Sequence, residues 1–279
     1  MLAPVHFSIR HESLYRYDVP VTLGVHLLRL TPRQGPLQIK LRRLIIEPEP
    51  IEWHDEVDGF ENPITRVEFG GSTQRLSVVS EVELETLLPS ELPASLDPLP
   101  YGPPSVDPQA VYRSASIHPE VRRFADGLAV DAQHDPVMFL DRVTRTLYDR
   151  IDRHIRPVGD ARPGHETLAL ASGACRDLTV LFLEICRSQG LAARFVSGYQ
   201  GQAQTPDGQR HLHAWGEVFL PGLGWRAWDA THGIRVTDGH VALCAAPHQA
   251  ATMPIEGGFW FQGSTVNSTL DHSVRIATS

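Results

Sequence analysis

From residue 5 to about 88 the chain runs in short stretches rich in alternating apolar or β-branched residues, among them His6–Tyr17, Val25–Leu30, Leu41–Ile46 and Leu76–Leu84. A period of two marks a strand with one face buried. Turn formers separate the stretches at Pro32–Gly35, Pro48–Pro50 and Asp58–Gly59. Several short strands at this spacing predict a sandwich-like β-domain over residues 1–90. The stretch 89–108, PSELPASLDPLPYGPPSVDP, is heavy in proline, and residues 91–108 are read as a linker.

Beyond the linker the period changes. Asp135 followed by Pro136 gives an N-cap and a proline at the first helical position, and Leu140, Val143, Leu147 and Ile151 then recur as one helical stripe. A second helix is predicted from Cys175 to about Gln189, with Leu178, Leu181, Phe182 and Ile185 inward and Gly190 as its stop. The period then returns to two in Arg194–Tyr199, His213–Leu220 and Trp225–Asp229, with Pro221–Gly222 as a turn. Residues 233–279 look β-like but are weakly patterned. The fold class expected is α+β: the β-domain, then a core over 109–279 of helices packed on an antiparallel sheet.

Composition narrows the function. With 42% hydrophobic and 21% charged residues the chain is ordinary for a globular protein. A net charge of -8 argues against nucleic acid, which demands a basic footprint. The opening MLAPVHFSIRHESLYRY carries charges and histidines where a signal peptide needs an apolar run. No stretch approaches the roughly 20 apolar residues of a membrane span. A cytoplasmic protein with no membrane partner is therefore expected. The three cysteines, Cys175, Cys186 and Cys244, give no disulfide framework.

Cys175 opens its helix after Ser172-Gly173-Ala174. The unpaired amides and positive dipole end there favour thiolate over thiol, and the thiolate is the nucleophile. Taken alone, such a cysteine is more often structural. His213 begins one strand 38 residues later and Asp229 ends the next. A hairpin between those strands would bring the pair together, as needed for a carboxylate to hold an imidazole. Asp177 in the first helical turn reads as a cap. Cys186 reads as core, and Cys244 is uninformative. Trp215, on the face of His213, either shields the site or packs. His211-x-His213 together with Cys175 could ligate zinc, but no CxxC or HExxH pattern supports a metal.

The stretch GACRDLTVLFLEICRSQGLAARFVSGYQ, then HAWGEVFLPGLGW, then WDATHG, resembles the core of the bacterial transglutaminase-like superfamily. That family's pattern is Gly-x-Cys-x-Asp, a helix, Gly-(Ile/Leu)-x-Ala-Arg-x-Val-Ser-Gly-Tyr, His-Ala-Trp-x-Glu and Asp-x-Thr. The segment HESLYRYDVPVTLGVHLLRLTPR is similar to the β-domain preceding the core in one bacterial branch. The resemblance implies a papain-like core with Cys175, His213 and Asp229 as the Cys-His-Asp triad, and no cofactor. Departures are Arg176, which either lowers the thiolate pKa or points to solvent, Ala230 in place of a common proline, and a divergent Ala245–Gly258.

The function expected is acyl transfer through a thioester, most simply a peptidase or amidase acting on a peptide or protein substrate. The alternatives are a protein-glutamine transamidase, or an idle scaffold that binds a peptide.

Overall fold

The computed structural model describes residues 4–88, 96–102, 104, 106–113, 116–156, 158–201, 205 and 207–279. Its N-terminal part is a sheet organised on one long strand, β1 (Val5–Leu28). Four more strands follow: β2 (Leu37–Glu47), β3 (Glu52–Val57), β4 (Pro63–Glu68) and β5 (Thr73–Thr86). The first half of β1 pairs β5, and its last residues, from His26, pair β4. Alternate residues such as Phe7, Ile9, Val21 and Leu23 are buried in the core of this sheet.

The helical part follows: α1 (Ala110–Arg113), α2 (Pro119–Asp131), α3 (Pro136–Arg150), a short β6 (Asp152–Arg153), α4 (Gly164–Leu170), β7 (Ser172–Gly173) and α5 (Cys175–Ser188). Asp135 caps α3 as expected, its carboxylate accepting from the Met138 N–H at 2.7 Å. The stripe on α5 lies inward, with Leu178, Leu181, Phe182 and Ile185 at most 1% exposed. Side chains of this size stabilise by roughly 1.5–3 kcal/mol each when fully buried.

The core sheet comprises β8 (Ala192–Gln200), β9 (His213–Leu220), β10 (Gly224–Asp229), β11 (Ile234–Arg235) and β12 (His240–Ala246), in the order β11-β10-β9-β8-β12. Every residue of β8 is buried. Arg194, Ser197 and Gln200 are buried in it beside the apolar residues, so burial along the strand does not alternate. Helix α5 covers one face, and Tyr199, Val241 and Leu243 join the N-terminal core on the other. Gly216 on β9 is required for the helix to approach, since a Cβ there would stand 2.4 Å from Phe182 Cδ1.

After a 3-10 turn (Gln249–Thr252) come β13 (Ile255–Trp260) and β14 (Ser268–Thr278). Both pair antiparallel with β1, so the segment from 255 corrects the expectation that 109–279 is one core: its end completes the seven-stranded N-terminal sheet. Within β14 only Val274 is buried, so backbone pairing holds the strand with almost no apolar signature in its sequence. The proline-rich linker is likewise anchored where it is described. Leu99 is buried and its N–H donates to the His134 carbonyl at 2.8 Å, while the Tyr101 N–H donates to the Gln189 carbonyl at 2.9 Å. Residues 91–95 of that linker lie outside the described residues. No helix among the described residues is long and apolar enough to cross a membrane.

Candidate active site

Cys175 is the first residue of α5, after Ala174 in extended conformation. Alanine offers no cap, and Asp177 supplies the missing partner from the third helical position. Its fully buried carboxylate accepts from the Ala174 N–H at 2.8 Å, from the Arg162 N–H at 2.8 Å and from Arg156 Nη2 at 2.6 Å. Asp177 thus fixes both the helix start and the flanking segment. Arg176 does not stand free in solvent: its Nη2 donates to the Val158 carbonyl at 2.9 Å, and it pairs with no carboxylate among the described residues.

The hairpin of β9 and β10 brings His213 and Asp229 together, with His213 Nε2 2.8 Å from Asp229 Oδ2. Cys175 stands beside the same imidazole, and each group shifts the other's protonation. With Nε2 committed to the aspartate, Nδ1 is the nitrogen left to serve the sulfur. The structure therefore gathers all three sequence-predicted residues at one point, where a helix start meets the end of the sheet.

Their electrostatics reinforce one another. Burial alone would raise the Cys175 pKa, but the hydrogen bond and positive charge of His213, with the backbone N–H of Ala214, bring it below the ordinary thiol value. For His213 burial acts downward. The Asp229 charge and hydrogen bond, then those of Cys175, overcome it and push the imidazole up to about 10. Burial would raise Asp229 as well, yet His213 and the hydrogen bonds of His232 and His240 hold it well below the usual carboxylate range. A thiolate–imidazolium pair balanced by a buried carboxylate follows from these directions. The other thiols differ. Burial pushes Cys186 up strongly, and Cys244 up to about 12.

Two further histidines that bond Asp229 escape the sequence reading. His232 Nδ1 and His240 Nε2 also bond Asp229 Oδ2, at 2.7 and 3.0 Å. The other oxygen, Oδ1, accepts the Thr231 and His232 backbone N–H groups at 2.9 and 3.2 Å. His232 stands in the WDATHG stretch, three residues beyond the aspartate, so spacing was its one available signal. His240 opens β12, on the far side of the sheet order from β10, and nothing local marks it.

The ligand atoms of His213, Asp229, His232 and His240 lie within 4.8 Å of one another, a set with the chemistry to hold a transition metal. Three ring nitrogens stand 2.7–3.0 Å from one carboxylate oxygen. That is hydrogen-bond spacing, shorter than the roughly 3.3 Å that separates two ligand atoms of a tetrahedral zinc with bonds of about 2.0–2.1 Å. The arrangement fits a carboxylate saturated by donors. The zinc partner considered in sequence, His211, pairs instead with Asp207 at 2.8 Å. Trp215 is buried, its ring 6.1 Å from that of His213 and 5.0 Å from that of His240.

Comparison with known proteins agrees with this architecture. Residues 7–85 match the bacterial transglutaminase-like N-terminal region, and residues 123–230 match the Transglutaminase-like superfamily. The chain belongs to that superfamily, whose general chemistry is cysteine-dependent acyl transfer.

An uncharacterized protein of Mycobacterium leprae is 23% identical over 277 residues, covering 96% of this chain and 98% of its own. One of Mycobacterium tuberculosis is 25% identical, covering 97% and 92%. A Pseudomonas aeruginosa protein-glutamine gamma-glutamyltransferase is 25% identical over 142 residues, covering 47% of this chain and 21% of that protein. Among solved structures, a Cytophaga hutchinsonii protein provisionally named a cysteine protease superposes with a TM-score of 0.75 at 16% identity, covering 99% of this chain and 91% of its own. At that identity the likeness speaks for the fold.

Proposed function

We propose that the protein hydrolyses a peptide or carboxamide bond, with Cys175 as nucleophile, His213 as acid and base, and Asp229 as the residue that orients His213. The observation that carries the reading is the hydrogen-bonded pair His213–Asp229 set beside Cys175, which it brings below the ordinary thiol value, at the start of α5. In the first half-reaction the thiolate adds to the carbonyl carbon. The C–N bond then breaks as the His213 imidazolium gives its Nδ1 proton to the departing amine, leaving a thioester on Cys175. The Cys175 backbone N–H, the first of the helix, is a donor for the intermediate's oxyanion. In the second half-reaction His213 takes a proton from water as its oxygen attacks the thioester, and the thiolate leaves.

The active form has Cys175 deprotonated and His213 protonated. Activity therefore rises as pH passes the lowered thiol value and falls as it passes the raised imidazole value, near 10.

An amine acting in place of water gives a transamidase, the reading favoured by the name of the Pseudomonas aeruginosa relative. A peptide-amide library assayed by mass spectrometry, with and without an added primary amine, separates the possibilities. Hydrolysis predicts the free acid as main product in both arms. An amine adduct as main product would reassign the enzyme as a transamidase. No turnover together with no trappable thioester would leave the peptide-binding scaffold.

A further inference from the structure

A cleft of about 550 Å³ lies beside the triad, in the size range of small-ligand sites. It opens on the face of the core sheet away from α5. Gly216 faces the helix through Phe182, so its neighbours Trp215 and Glu217 face the other way and line the cleft. Residues 33–37, which follow β1, line it as well. The cleft is therefore built from both parts of the chain. None of Cys175, His213 and Asp229 lines it, but Trp215 and His240 do, and both are in ring contact with His213.

Its polar groups are uneven. Four arginines line it against one glutamate, on a protein whose net charge is -8. Arg194 takes that glutamate, Glu217, at 2.6 Å, and its guanidinium lies 4.0 Å over the Trp225 ring. Arg235 is paired with Asp141. Arg33 is 8% exposed, and the acceptors its guanidinium bonds among the described residues, the Phe60 carbonyl and the Asn62 side chain, are neutral. Burial, then the charge of Arg194, lowers the Arg33 pKa against the opposing charge of Glu217, which Arg194 already pairs. Trp215 is 2% exposed, and its buried Nε1–H finds no acceptor among the described residues. A buried donor without a partner costs about 1–3 kcal/mol, so such groups are ordinarily satisfied.

We propose that this cleft is a ligand site for a carboxylate carried on an apolar body. The carboxylate balances Arg33, an acceptor atom of the ligand takes the Trp215 Nε1–H, and the apolar body lies against the indole rings of Trp215 and Trp225. Two sources present this chemistry, an acidic segment of a peptide and a free small carboxylic acid.

The test is calorimetric titration of the full chain carrying Cys175→Ala, which has no nucleophile, so the outcome does not depend on the acyl-transfer reading. The probes are 3-phenylpropionate and N-acetyl-glutamyl-phenylalanine amide, each set against its neutral counterpart, 3-phenylpropionamide or the glutaminyl peptide. Saturable binding of at least one carboxylate probe is expected, tighter than its neutral counterpart by about tenfold or more, the scale of one charge-assisted hydrogen bond. Whichever probe binds identifies the source. Arg33→Gln should erase the preference for charge, and Ala227→Phe, which fills the cleft, should abolish binding; a thermal melt checks that each variant is folded. The proposal is overturned if no probe saturates, if neutral and anionic probes bind alike, or if folded Ala227→Phe binds as before. The comparison of charged with neutral probes stands even if a variant fails to fold.

Discussion

Cys175→Ala should lower amide turnover by about 10⁴-fold or more, the scale on which loss of a nucleophile acts in serine triads. Without the sulfur no thioester forms, and water must attack the amide directly. The fold should survive. Ala174 already begins the helix without a side-chain cap, and the cap comes from Asp177, which the substitution leaves in place. The partly exposed Cys175 side chain contributes about 1 kcal/mol or less, so the melting temperature should move by a few degrees at most. His213→Ala should be nearly as damaging, since the leaving amine loses its proton donor. Wild-type turnover from folded Cys175→Ala would remove the nucleophile assignment outright.

Asp229→Asn should cost both activity and stability. The carboxylate accepts three imidazole N–H groups on Oδ2 and two backbone N–H groups on Oδ1. An amide has one oxygen to offer. Whichever way it turns, its NH₂ faces buried donors, at about 1–3 kcal/mol for each one left unsatisfied. His213 also loses the charge that holds it protonated. Turnover should fall by up to about 10⁴-fold, less than for Cys175→Ala because the thiolate depends less on a base than a serine does. The alkaline limb of the pH profile should move down from the imidazole value near 10. A variant with an unchanged melting temperature and an unchanged alkaline limb would show that the five-bond cluster does not hold the site.

What the sequence made legible follows local periodicity. The stripe on α5 is strong because the helix buries one face, and His213 and Asp229 sit at the ends of the short strands β9 and β10, which the Pro221–Gly222 turn sets apart. Helix α2 was missed, although His118-Pro119 caps it and Val121, Ala125 and Leu128 recur along its buried side. Strand β14 was illegible for a different reason, since its exposed residues carry no pattern and its place is set by pairing with β1. Long-range contacts explain the rest. His240 reaches Asp229 from the opposite end of the sheet order, and Arg33 reaches the Arg194–Glu217 pair from the other part of the chain.

The central claim, that Cys175 is an activated thiolate, is tested most directly by mapping alkylation site by site. The three thiols are set apart by their surroundings. Cys175 is partly exposed and lowered by His213, while Cys186 and Cys244 are buried and raised. Iodoacetamide at about pH 6.5, roughly two units below an ordinary thiol, should label Cys175 well before the other two in the native protein, as read by peptide mass spectrometry. His213→Ala should remove that advantage. Equal and slow labelling of all three thiols in the folded protein would contradict the account.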